Sequence, residues 1–155
     1  MRGKRVKKRQ IDTDPIYKSR VVERLINNVM QGGEKSLSQG IVYGAMGKLN
    51  EDGKESLKML ETAVKNVMPQ QEVRSKRVGG ATYQVPVPLK HDRSEALAVR
   101  WIVGCARSRK GKPMQEKLFE ELKNAYQGTG DSVKKRDDTH RMAEANRAFA
   151  HFARF

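Results

Sequence analysis

Val73-Arg74-Ser75-Lys76-Arg77-Val78-Gly79-Gly80-Ala81-Thr82-Tyr83-Gln84-Val85-Pro86-Val87-Pro88 is the stretch where the spacing of apolar residues drops from the helical three-and-four towards two. Tyr83, Val85 and Val87 alternate along it, and Gly79-Gly80 lies where a two-residue hairpin turn needs a backbone of positive φ. Pro86 and Pro88 have no N–H to give to a ladder, so they suit a two-stranded ribbon with free edges and not a central sheet strand. The stretch predicts a β-hairpin over about residues 73–88 that projects from its neighbours.

Both flanks read as helices. Val22, Leu25, Ile26, Val29 and Met30 recur on one helical face, and Gly32-Gly33 supplies a left-handed exit. Leu37, Ile41, Ala45 and Leu49 mark a second helix, in which Gly40, Gly44 and Gly47 each cost about 1 kcal/mol against alanine. Close approach of another backbone is the expected compensation, and a weak or bent helix is the alternative. Leu57, Leu60, Val64, Val67 and Met68 form a third face, which Pro69 ends.

Downstream of the hairpin, Asp92 and Glu95 have the spacing of a capping box and open a fourth helix. Its Leu97, Val99, Trp101, Ile102 and Cys105 nearly surround the axis, which suits a central buried helix with Arg100 and Arg107 on its one charged face. Pro113 fits the first turn of a fifth helix whose inner face is Met114, Leu118, Leu122, Ala125 and Tyr126, with Gly128 beyond its end. Asp131 or Ser132 can cap a sixth, which carries Met142, Ala145, Phe149 and Phe152 along one side. The expected fold is mainly α: a six-helix single domain over residues 11–155 with an extended β-hairpin insertion, preceded by a flexible basic arm at residues 1–10.

Charge narrows the function. The 155 residues carry 32 Lys and Arg against 18 Asp and Glu, a net charge of +14, and so large an excess asks for a polyanionic partner. The longest apolar run near the centre, Trp101 to Ala106, is far short of the roughly 20 residues that a bilayer crossing needs, so no membrane partner is expected. Polar and acidic residues follow the basic N-terminus where a secretion signal would be apolar, and Asp12 and Asp14 disfavour a transit peptide. Lone Cys105 agrees with a reducing compartment and reads as packing.

The excess is concentrated. Residues 1–10 hold Arg2, Lys4, Arg5, Lys7, Lys8 and Arg9 with no acid, residues 73–90 hold Arg74, Lys76, Arg77 and Lys90 with none, and residues 100–112 add Arg100, Arg107, Arg109, Lys110 and Lys112, again with none. By contrast, residues 51–66 and 113–128 each balance to about −1. A basic arm of this kind orders when phosphate neutralises it, and a slender basic ribbon can set guanidinium groups on phosphates. Tyr83 has two readings, stacking on a base or packing across the ribbon.

Chemistry is sparse. His91, His140 and His151 lack cysteine partners at zinc spacing, and His140 and His151, eleven apart, are too distant for one metal ion on a shared helix. Gly111-Lys112 lacks the upstream glycine of a phosphate loop. No catalytic residue, metal or cofactor is expected. A DNA-packaging protein and an RNA-modifying enzyme are the rivals to a structural RNA-binding protein, the first separable by preference for duplex DNA and the second by activity of the pure protein.

The run Glu72 to Pro86 closely resembles the hairpin of the small ribosomal subunit protein seven family, in its bacterial or organellar form. The likeness continues through Ile41-Val42-Tyr43-Gly44-Ala45, Asn66-Val67, Arg100-Trp101-Ile102-Val103, Val133-Lys134-Lys135-Arg136 and His140-Arg141-Met142-Ala143-Glu144-Ala145-Asn146, and so covers nearly the whole chain. It implies six helices with an extended hairpin, binding to the 3′ major domain of small-subunit rRNA, nucleation of head assembly, and a hairpin beside the exit-site tRNA and mRNA. It also implies a place on cytoplasmic or organellar ribosomes with neighbouring proteins of head and platform as partners. Carried over by motif, RNA contacts would fall on Arg74, Lys76, Arg77 and Tyr83, on the arm through Arg9, on Arg107, Arg109, Lys110 and Lys112, and on Lys134, Lys135 and Arg136. Phe149, Phe152 and Phe155 would either meet a platform protein or pack inward. Glu34, where the family usually has a basic residue, and Gly104-Cys105 depart from the pattern.

Overall fold

A computed structural model of the chain describes Gly3, Val6 and residues 10–154, the side chains of 153 and 154 excepted. The arm residues Arg2, Lys4, Arg5, Lys7, Lys8 and Arg9, and Phe155, lie outside the described residues. Six α-helices run in chain order: α1 Arg20–Val29, α2 Lys35–Leu49, α3 Gly53–Val67, α4 His91–Ser108, α5 Met114–Tyr126 and α6 Asp131–Ala145. The antiparallel strands β1 Gln71–Val78 and β2 Ala81–Pro88 interrupt them after α3, and a 3-10 helix, Arg147–Arg154, follows α6. The protein is thus a mainly helical single domain with one hairpin, as the periodicity predicts, and it closes on a seventh, 3-10, helix.

The hairpin has the expected register: Val78 opposes Ala81 across a turn in which Gly79 and Gly80 take φ of 58° and 91°. Two consecutive positive φ values define the turn whose twist matches that of the flanking strands. The ribbon is less free than its prolines suggest. Val85 is 1 % exposed and Pro86 is buried, α6 packs on β1, and the 3-10 helix packs on β2, so only the tip around Gly79-Gly80 stands clear.

α4 is the central helix. It packs against α1, α3, α5 and α6, and its Ala98, Val99 and Ile102 are fully buried. They meet Val22, Leu25 and Ile26 from α1, Val42 and Met46 from α2, Leu60 and Val67 from α3, and Leu118 and Leu122 from α5 in one continuous core. Each such large aliphatic side chain stabilises the fold by roughly 1.5–3 kcal/mol when fully buried.

Several local expectations are corrected. Leu37 and Tyr126, assigned to inner faces, are 59 % and 42 % exposed, each in a terminal turn of its helix. Asp92 and Glu95 do not cap α4: the helix starts at His91 after Lys90, with no side-chain cap, and Glu95 pairs with Arg24 at 2.8 Å. Gly130, at φ 100°, precedes α6 in place of an Asp131 or Ser132 cap. No backbone closes on the glycines of α2. A Cβ at Gly40 or Gly47 would meet nothing within 4 Å, whereas one at Gly44 would lie 2.2 Å from the amide nitrogen of Gln115 on α5.

Candidate nucleic-acid interface

The hairpin's basic residues divide by environment. Arg74 is exposed and pairs with Glu72, which also receives Arg93 from α4 at 3.3 Å. That acid sits just outside the acid-free stretch and compensates its first guanidinium. Lys76 is half-buried and donates to the carbonyl oxygen of Phe152 at 3.0 Å. Arg77, next to the turn, is exposed and makes no ion pair among the described residues. Tyr83 does not pack across the ribbon alone: its ring lies 5.4 Å from that of Phe149 and 5.0 Å from that of Phe152. Those two phenylalanines therefore pack inward on the hairpin and not along α6.

The segment after α4 is also less free than its composition suggests. Arg107 donates to the carbonyl oxygens of Asn28 and Val29 at 3.0 and 3.1 Å, closing the end of α1 where carbonyls lack helical partners. Arg109 turns inward to Glu121, a fully buried carboxylate that also accepts from the Ser132 amide at 2.9 Å and the Ser132 hydroxyl at 2.6 Å. Lys112 pairs with Glu120, and its hydrogen bond and charge hold that carboxyl below the usual range, with Arg109 adding to the pull. The acids come from α5, so a segment without acids in sequence is compensated in space. Of the four contacts predicted in that segment, Arg107 and Lys110 are exposed with no ion pair among the described residues, and Arg107 is instead held by its bonds to the α1 carbonyls.

On α6, Lys134 and Lys135 are exposed and free of ion pairs among the described residues, while Arg136 bonds the carbonyl of Asn66 and pairs with Asp137 at 2.6 Å. His140 accepts from the Gln70 amide at 3.0 Å and so ties α6 to the base of β1. His151 lies on the 3-10 helix and not on α6. Burial, followed by the nearby Glu121, pushes the Cys105 thiol up, in keeping with packing. Among the described residues no three His, Cys, Asp or Glu converge as metal ligands, and no helix is long and apolar enough to cross a membrane.

A cationic groove absent from the motif-based set lies between α1 and α4. Arg20, Arg24 and Asn28 of α1 line it with Arg100 and one acid, Asp92, of α4. The signal on α1 was in the spacing: Arg20 and Arg24 are four apart, a same-face interval. Arg20 and Arg100 are exposed and unpaired among the described residues, whereas Arg24 is bound to Glu95.

A helical frame that carries clustered guanidinium and ammonium groups on its surface has the build of a cationic scaffold protein. Residues 1–147 match the family described as ribosomal protein S7p/S5e. The chain is 56 % identical over 148 residues to the small ribosomal subunit protein uS7 of Pelotomaculum thermopropionicum, covering 95 % of each chain. It is 54 % identical over 153 residues to that of Fervidobacterium nodosum and 56 % identical over 153 residues to that of Thermosipho africanus, covering 98 % of this chain and 99 % of the relative in both cases. The chain belongs to the ribosomal protein S7p/S5e family, whose proteins are structural and not enzymatic.

Proposed function

We propose that this small-subunit ribosomal protein binds the 3′ major domain of small-subunit rRNA, nucleates head assembly, and sets its hairpin beside the exit-site tRNA and mRNA, on ribosomes of the cytoplasm. The observation that carries the reading is that many exposed cations among the described residues have no acidic partner, and that six of them fall in the predicted basic regions or the α1–α4 groove: Arg77 at the hairpin tip, Arg20 and Arg100 in the groove, Lys110, and Lys134 with Lys135. Each can neutralise a phosphate without first breaking a pair inside the protein. Arg74, Lys76 and Tyr83 can join them after exchanging an internal partner. Arg107, Arg109, Lys112 and Arg136 serve mainly to hold the frame. The basic arm through Arg9 supplies further phosphate contacts, and neighbouring proteins of the head and platform complete the surroundings. Recognition rests on rRNA shape, because dispersed phosphate contacts position a protein without reading base sequence.

The test is a salt titration of binding to a transcript of the 3′ major domain, with a duplex DNA of equal length as competitor. With roughly six to ten phosphates engaged, affinity should fall by about three to five orders of magnitude between 50 and 200 mM salt. A flat titration, or duplex DNA competing as well as the transcript, would refute the reading.

A further inference from the structure

Two side chains of the hairpin, Tyr83 and Lys76, are already occupied by the chain itself. Tyr83 packs against the rings of both Phe149 and Phe152, at 5.4 and 5.0 Å between centroids. Lys76, its cross-strand partner in the register, gives its ammonium group to the last turns of the 3-10 helix through the Phe152 carbonyl at 3.0 Å. The two rings of the tail are 6.4 Å apart and nearly parallel, with 15° between their planes. The arrangement is what an unstacked nucleobase and its phosphate would require of the same two residues: an aromatic face for the base and a cation beside it.

The cover is lightly built. Asn146 ends α6 and bonds back to the Met142 carbonyl at 2.8 Å, and the tail then folds as a 3-10 helix, whose hydrogen bonds are poorer than those of an α-helix. Ala148, Ala150 and His151 on it are exposed, and Phe149 and Phe152 are its inward anchors.

We propose that Tyr83 and Lys76 form a binding site for an unpaired nucleobase of single-stranded RNA, and that the C-terminal 3-10 helix occupies this site in the free protein and leaves it when RNA arrives. The proposal rests on the reading that the hairpin binds RNA. Tail and RNA then compete for one surface, and the hairpin's affinity is set by the difference between the two.

The experiment uses the full chain and a single-stranded RNA decamer of mixed sequence, with affinity read by fluorescence anisotropy. The double variant Phe149→Ser, Phe152→Ser removes both anchors and leaves every charge in place. Each aromatic pair is worth a factor of about 2–10, so the double variant, which removes two, should bind the decamer about four- to a hundredfold more tightly. Equal or weaker binding overturns the proposal. Arg77→Glu, made in both backgrounds, separates the two readings. If it leaves decamer binding unchanged, the hairpin reading fails; if it weakens binding while the double variant shows no gain, the tail proposal alone fails. Should the double variant not fold, the unmodified chain decides the matter by NMR. Nuclear Overhauser contacts from the Tyr83 ring to Phe149 and Phe152 should vanish as the decamer saturates, and their persistence at saturation overturns the proposal.

Discussion

Arg109 reaches from the loop after α4 to Glu121 on α5, and the carboxylate it meets is completely buried. Ser132 at the start of α6 donates to the same carboxylate through its amide and its hydroxyl, so one acid fastens the loop and two helices. A buried pair of this kind stabilises little against an apolar substitute of the same shape, but removing one partner strands the other charge. Arg109→Ala is therefore expected to destabilise the fold by about 3–5 kcal/mol, read from urea unfolding. A loss under about 1 kcal/mol would show that water or Ser132 satisfies Glu121 without the guanidinium.

Arg107 and Lys110 are three residues apart and should respond oppositely. Arg107→Ala removes the two hydrogen bonds that close α1 and should cost about 1–2 kcal/mol of stability. Lys110→Ala should leave unfolding unchanged and reduce the salt slope of RNA binding by about 1. The pair of measurements, urea unfolding and salt-dependent binding, fails this assignment if the two substitutions exchange effects.

The contrast shows which parts of the molecule are legible in its sequence. Helices and hairpin are, because Val22, Leu25 and Ile26, or Tyr83 and Val85 around Gly79-Gly80, encode their period and turn within a few residues. The fate of a cation is not, because Arg109 and Glu121 are twelve apart and only the packing of α4, α5 and α6 brings them together. The tail was misread for a related reason. Met142, Phe149 and Phe152 keep a helical spacing, yet α6 ends at Asn146, whose side-chain amide donates to the Met142 carbonyl, and Tyr83, a partner from across the fold, decides where the rings go. Arg20 was recoverable from its same-face spacing with Arg24, but the groove it shares with Arg100 exists only once α1 lies against α4.

The glycines of α2 offer a test in the stabilising direction. Gly40 and Gly47 have ordinary helical backbone and open space where a Cβ would go, so Gly40→Ala and Gly47→Ala should each stabilise by about 0.5–1 kcal/mol. At Gly44 the same change must displace the Gln115 amide, and the gain from helix propensity should be smaller or reversed. Thermal unfolding of the three variants should rank Gly44→Ala last; a higher melting temperature for it than for the other two would remove Gln115 from the packing of α2 on α5.

Tyr43 makes stability depend on alkaline pH. Its hydroxyl donates to Asp14 at 2.5 Å, and Asp14, fully buried, also accepts from the Ile16 and Tyr17 amides at 3.1 and 2.8 Å, which pins the segment before α1 onto α2. Burial first, then this hydrogen bond and the charge of Asp14, push the phenol well above its ordinary value. A tyrosine in the unfolded chain ionises near pH 10, so below that pH the full contribution is present. As pH rises beyond it, the unfolded chain releases its proton first, and stability falls until the folded phenol also ionises. Tyr43→Phe should cost about 1 kcal/mol near neutral pH through the lost hydrogen bond and should flatten the decline in stability between about pH 10 and 12. Urea unfolding of both proteins across that window is the measurement, and parallel curves would mean that the Tyr43 hydroxyl ionises as freely in the fold as outside it.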